Sequence, residues 1–164
     1  MKIISLFIVC FCFLPAIAQN EEPLKAGMKA PGFSYRDVDG NVVCLKDLRG
    51  KYVYIDVWAT WCMPCRGELP ALKELKEKMR DKNIHFVCIS CDKDIDKWKQ
   101  MVKDDRLSGI QVNTGGDRAF MEAFGIRGIP RFILLDPKGK IVDPEMTRPS
   151  QSVTLQTLMS LKGI

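Results

Sequence analysis

The alternation of apolar and polar positions divides the chain into a short series of strands and helices. Two short extended pieces lie between Phe33 and Leu45, on either side of Asp39-Gly40-Asn41, a hairpin turn signal. Tyr52 to Trp58 is rich in β-branched and aromatic residues and predicts a buried strand. A helix is expected to follow, with Pro64 in its first turn and Leu69, Leu72, Leu75 and Met79 along one face. Ile84 to Ser90 predicts a second buried strand, and Asp94 to Val102 a helix presenting Trp98, Met101 and Val102. Asn113 to Asp117 reads as a turn, and Arg118 to Phe124 as a short helix closed by Gly125. Phe132–Leu135 and Lys140–Val142 form a hairpin around Asp136-Pro137-Lys138-Gly139, and Ser150 is placed to cap a last helix with Leu155, Leu158 and Met159. The expected order is ββ-β-α-β-α-α-β-β-α: one α/β domain, a mixed sheet with helices on both faces.

The N-terminus breaks this pattern. Lys2 precedes the apolar run Ile3 to Leu14, interrupted only by Ser5, and Ala16-Ile17-Ala18 is a small-x-small cleavage site. The run is too short for a bilayer span, which needs about 20 residues. Residues 1–18 are therefore expected to be a signal peptide cleaved after Ala18, leaving 19–164 as the domain of an exported, periplasmic or otherwise extracytoplasmic protein. A retained anchor is one alternative. Lipidation is another, although the residues before Cys10 and Cys12 do not suit it. A buried N-terminal strand fits poorly, because the segment lacks polar alternation.

Charge adds little. The chain has 25 Lys and Arg against 20 Asp and Glu, a net +5. The basic residues are interleaved with acids, as in Lys76-Glu77-Lys78, which reads as a solvated surface and not as a nucleic-acid stripe. The cysteines matter more. Outside the leader they are Cys44, Cys62, Cys65, Cys88 and Cys91, an odd number that cannot all pair within one chain. At least one thiol must stay free or meet a partner.

Cys62-Met63-Pro64-Cys65 stands at the junction of a strand and a helix. At the helix N-terminus Cys62 is positioned for thiolate stabilisation by free N–H groups and the helix dipole, which makes it the attacking sulfur. Cys65, one turn on and more shielded, is close enough to bridge it and to resolve a mixed disulfide. Pro64 removes one N–H donor near the thiolate. Cys88-Ile89-Ser90-Cys91 repeats the spacing, but it begins inside a strand. Three strand residues cover about 10 Å, too far for a bridge that needs Cα atoms within about 7 Å. Cys88 is expected to be a buried apolar residue, Cys91 to end the strand, and Cys44 to be half-buried in the hairpin. A reactive Cys91 and a four-cysteine zinc site are the alternatives, and no metal or cofactor is expected.

The chain resembles the exported thioredoxin-like proteins of the TlpA/ResA type over residues 27–142. The resemblance rests on Lys29-Ala30-Pro31-Gly32-Phe33, Leu48-Arg49-Gly50-Lys51 and Trp58-Ala59-Thr60-Trp61-Cys62-Met63-Pro64-Cys65-Arg66, with Glu68, Pro70 and Gly128-Ile129-Pro130 extending it. It implies a thioredoxin fold with a short N-terminal β-hairpin extension, and thiol–disulfide exchange with exported protein substrates. It further implies a redox-active Cys62–Cys65 disulfide and a cis-proline at Pro130 that leaves the Ile129 backbone free to pair with substrate. Asp56 matches a buried acid beneath the resolving cysteine, able to take its proton; the alternative is an edge aspartate facing solvent. Glu68 matches an acid that tunes the thiols; the alternative is a surface glutamate. Trp61 is expected at the surface beside Cys62 and Trp58 further inside, so that Trp61, Met63 and Pro64 border the substrate. Arg66, Arg127 and Arg131 either flank the site or are scattered solvated charges.

The family type implies recharging by a membrane thiol-transfer protein, with apocytochrome c among its conceivable substrates. Three rival readings stand beside this one: a thioredoxin-fold binding module, a peroxide-reducing protein and a copper carrier. Trp58, four residues before Cys62, does not provide the peroxidatic setting. Copper handling would want a longer cysteine spacing and a distant histidine, and the single histidine, His85, adjoins a core strand.

Overall fold

The computed structural model describes residues 23–164. The proposed leader, its cleavage site and Cys10 and Cys12 lie outside the described residues. A seven-stranded mixed sheet has the order β2-β1-β5-β4-β3-β6-β7. Its centre is β3 (Tyr52–Trp58), buried at every position, paired in parallel with β4 (Ile84–Ser90) and antiparallel with β6 (Arg131–Leu135). A strand covered on both faces reads as a continuous apolar run, which is why its limits match those expected from the sequence. β5 (Ile110–Asn113) lies parallel to β4, and β1 (Ser34–Asp37) runs antiparallel to β5. The outermost strands, β2 (Val42–Cys44) and β7 (Ile141–Asp143), have three residues each.

The sheet separates two cores. One holds Tyr54, Trp58 and Cys88 from the strands under Leu72, Leu75 and Met79 of the first helix and its cap, α1 (Met63–Lys78). Trp98 of α2 (Ile95–Asp104) and Leu158 of α4 (Ser152–Met159) complete it. The other packs Val53, Ile55, Val57, Val87 and Ile89 against Leu45 and Leu48 of a short 3₁₀ turn and Phe120 of α3 (Ala119–Ala123). The alternation of β3 thus sends Tyr54, Asp56 and Trp58 toward α1, and Val53, Ile55 and Val57 to the opposite face.

Two expectations need correction. The expected order lacks one strand, β5, and its last residue, Asn113, lies in that strand and not in the expected turn; β5 is short, and Gln111 and Asn113 are buried although polar, so no apolar run announces it. Ser150 does not cap α4. Gln151 occupies that position and makes no side-chain cap bond, while Ser150 is drawn to Glu68 of α1. On α4, Leu158 is fully buried, but Met159 is exposed.

Candidate active site

β3 delivers the chain through Ala59-Thr60-Trp61 into the N-cap residue of α1, Cys62. Cys62 is disulfide-bonded to Cys65, with the Cα atoms 5.3 Å apart. The Cys65 N–H donates to Cys62 Sγ at 3.3 Å. A donor at a helix N-terminus favours negative charge at the sulfur that faces it. Cys62 retains 5% of its surface and Cys65 3%, while Trp61 and Met63 on either side of Cys62 are 63% and 69% exposed. The disulfide therefore sits just beneath an apolar rim, with Trp58 buried behind it.

The loop entering Cys62 is held by a polar network at the carboxyl ends of the three parallel strands. Buried Asp92 accepts the Thr60 N–H at 2.9 Å, the Thr60 hydroxyl at 2.7 Å and the Ser90 hydroxyl at 2.6 Å. Asn113 of β5 donates to Ser90 Oγ at 3.0 Å. These residues did not stand out in the sequence; the spacing Ser90-x-Asp92 just past a strand end is the only local trace of the network.

Asp56 is buried, which removes the solvent-facing alternative. Burial pushes its carboxyl up to about 7, against the opposing pull of the Lys76 ammonium and a hydrogen bond from the Cys88 thiol, with Glu68 adding a smaller upward push. Lys76 Nζ donates to Cys88 Sγ at 3.3 Å and to the Ser108 carbonyl at 2.6 Å. Lys76, Cys88 and Asp56 thus form a line under α1. Lys76 is half-buried, not one of the solvated charges that its neighbours in sequence suggested.

Glu68 is also buried, three residues after Cys65 and on the same side of α1. It accepts the Ser150 N–H and the Ser150 hydroxyl, both at 3.0 Å, and Arg148 lies 3.8 Å away. The hydrogen bonds of Asp56 and Glu68 therefore run to Cys88 and Ser150, and both carboxylates lie on the face of the sheet that holds Cys65.

The Ile129–Pro130 peptide is cis. One step beyond the Val57–Arg131 pair, the β3–β6 register brings Pro130 alongside Trp58, where β3 turns toward Cys62. Of the three arginines, Arg131 pairs with Glu145 at 2.7 Å, while Arg66 and Arg127 are exposed.

The second Cys-x-x-Cys does not act as a pair. Cys88 and Cys91 are free and point into opposite cores, Cys88 toward Asp56 and Lys76, Cys91 toward Met121. Burial raises the Cys88 thiol and pushes Cys91 up to about 11, with Asp92 adding to the latter. Cys44 is half-buried in the hairpin and bonds Ser34 Oγ at 3.3 Å.

The sequence model of the Redoxin family matches residues 25–157. The thiol-disulfide oxidoreductase ResA of Bacillus thuringiensis subsp. konkukian is 30% identical over 146 residues, which cover 86% of this chain and 83% of that protein. A solution structure from Bacteroides vulgatus, provisionally assigned as a thiol-disulfide oxidoreductase, is 55% identical with a TM-score of 0.74, covering 88% of this chain and 94% of that one. The thioredoxin domain of a second thiol-disulfide oxidoreductase from the same organism is 33% identical with a TM-score of 0.75, covering 83% and 96%. The fold is thioredoxin-like.

Proposed function

This chain belongs to the Redoxin family and is a thiol–disulfide oxidoreductase, and from that premise we propose that it reduces disulfides of exported proteins outside the cytoplasm. The observation that carries the reading is the asymmetry of the dithiol: Cys62 is the N-cap of α1 and accepts the Cys65 N–H, while Cys65 lies inside the first turn. In the reduced protein the Cys62 thiolate attacks a substrate disulfide and one substrate thiol leaves. Cys65 then attacks the mixed disulfide, releases the second substrate thiol and closes the Cys62–Cys65 bond. Two electrons pass to the substrate, and the dithiol is oxidised.

Asp56 is the proton acceptor for Cys65 in this reading, since a carboxyl near 7 exchanges protons readily at neutral pH. Glu68 tunes the same thiol from the helix above. Trp61, Met63 and Pro64 form the apolar side of the substrate surface, and the Ile129 backbone beside Pro130 pairs with an extended substrate segment. A membrane thiol-transfer protein returns the electrons, and apocytochrome c before haem attachment is among the substrates. The leader-like pattern of residues 1–18 supports export.

The test is capture. A Cys65→Ser protein expressed in its own cell is expected to hold substrates as mixed disulfides on Cys62, identifiable after reduction, in a chain whose intact mass begins at Gln19. Recovery of no partner refutes the exchange role. Recovery of a strongly oxidising partner system reverses the direction.

A further inference from the structure

Glu68 is a buried carboxylate one helical turn from the resolving sulfur, and its partners come from far along the chain. Cys65, Glu68, Leu72 and Leu75 form the buried face of α1, and side chains three positions apart on a helix have β-carbons about 5–6 Å apart. The titratable and charged groups that face Glu68 are Cys65 on its own helix, Tyr54 and Asp56 on β3, and Arg148 on the segment that leads into α4. Among the described residues Ser150 alone supplies its hydrogen bonds, the N–H to Oε2 and the hydroxyl to Oε1, both at 3.0 Å. Arg148 stands 3.8 Å from Oε1 and is half exposed, so solvent screens its charge.

The segment carrying Ser150 is itself tied down. The Tyr54 hydroxyl donates to the Thr147 carbonyl at 3.1 Å, the Arg148 N–H to Gln151 Oε1 at 3.1 Å, and the Gln151 N–H to the Arg148 carbonyl at 3.0 Å. These bonds fix the backbone that aims Ser150 at α1.

We propose that Ser150 is a positioning residue for the dithiol: it pins the Glu68 carboxylate beside Cys65 and so keeps the Cys62–Cys65 pair reducing. The inference rests on the exchange reading above and extends its account of Glu68. Donors to a carboxylate favour its charged form, and negative charge beside a thiol opposes thiolate formation. The dithiol form is thereby disfavoured against the disulfide, and its electrons pass to a substrate more readily. Without the Ser150 hydroxyl, Oε1 loses its donor, the charged form of Glu68 is favoured less, and the thiolate is opposed less.

Wild type, Ser150→Ala, Ser150→Thr, Glu68→Gln and the Ser150→Ala, Glu68→Gln double variant are equilibrated with glutathione. In that reaction the protein disulfide and two glutathione thiols give the protein dithiol and one glutathione disulfide. The rate of Cys62 alkylation by iodoacetamide is followed against pH as the second readout. Ser150→Ala is expected to shift the equilibrium about threefold or more toward the dithiol and to move the alkylation profile to lower pH. Ser150→Thr keeps both donors and is expected to behave as wild type, and Ser150→Ala is expected to add nothing in the Glu68→Gln background. A merely structural serine would lower the urea midpoint and move neither readout. Unchanged readouts in Ser150→Ala, with Glu68→Gln shifted, overturn the role of Ser150 and leave that of Glu68. No shift in Glu68→Gln overturns both, and an equal Ser150→Ala shift in the Glu68→Gln background overturns the proposed route through Glu68. A wild type that does not equilibrate with glutathione overturns the exchange reading itself, and the proposal with it.

Discussion

Asp56 ties stability to pH, and replacing it with Asn separates its contribution from every other titration. Its carboxyl is pushed up to about 7 by burial, whereas an unfolded chain releases the same proton near 3.9. Between those values the folded protein keeps a proton that the unfolded chain has given up, so stability falls as pH rises through the window. The full effect of a shift of about three units is roughly 4 kcal/mol, of which about 1.5 is already lost at pH 5. Wild type is therefore expected to lose about 2.5 kcal/mol relative to Asp56→Asn between pH 5 and pH 8. Asn keeps the size and an acceptor for the Cys88 thiol, so any change in that bond is a nearly constant offset. Urea unfolding of the disulfide form at pH 5, 6.5 and 8, with both proteins measured side by side, reads the difference from midpoint and slope. Parallel pH profiles would refute a raised carboxyl at this position, and with it the proton-accepting role proposed for it.

Three further outcomes can be checked directly. Ser150→Ala removes one of the two donors to Glu68 and is expected to cost about 1 kcal/mol in urea unfolding, with the remaining N–H limiting the loss. Asp92→Ala leaves the Thr60 N–H and two hydroxyls without their shared acceptor; it is expected to cost roughly 2–3 kcal/mol and to slow insulin reduction, because the loop before Cys62 loses its anchor. With Cys91 pushed up to about 11, only about a thousandth of it is thiolate at pH 8. Brief iodoacetamide treatment of the reduced protein, read by peptide mass spectrometry, should label Cys62 first and leave Cys88 and Cys91 unmodified.

The parts of the fold legible in the sequence are those whose burial is two-sided or whose start is chemically marked. β3 and β4 carry long, mostly apolar runs, and α1 follows a cysteine N-cap with proline in its first turn, so all three lie where the pattern predicts. β5 escaped because its buried Gln111 and Asn113 are held by hydrogen bonds, which leave no hydropathic mark. The site shows the same division. The dithiol could be read locally, and Asp56 stood out as a charge within an apolar strand. The partners of those groups could not: Lys76 reaches Cys88 across the helix–sheet interface, and Ser150 meets Glu68 from 82 residues away. Contacts set by tertiary packing leave no local period to detect.

The two three-residue strands at the margins of the sheet bear on how the molecule behaves in company. An open sheet edge is a template for another chain, and short edge strands blunt it. Here β2 and β7 expose few unpaired backbone groups, while the opening above the disulfide presents Trp61 and Met63 as bare side chains. Association by lateral growth of the sheet is thus poorly supported at either margin, and the two most exposed large apolar side chains among the described residues, Trp61 and Met63, flank Cys62. A thiol–disulfide oxidoreductase built this way can present apolar side chains beside its dithiol without offering its own copies a long sheet edge to pair with.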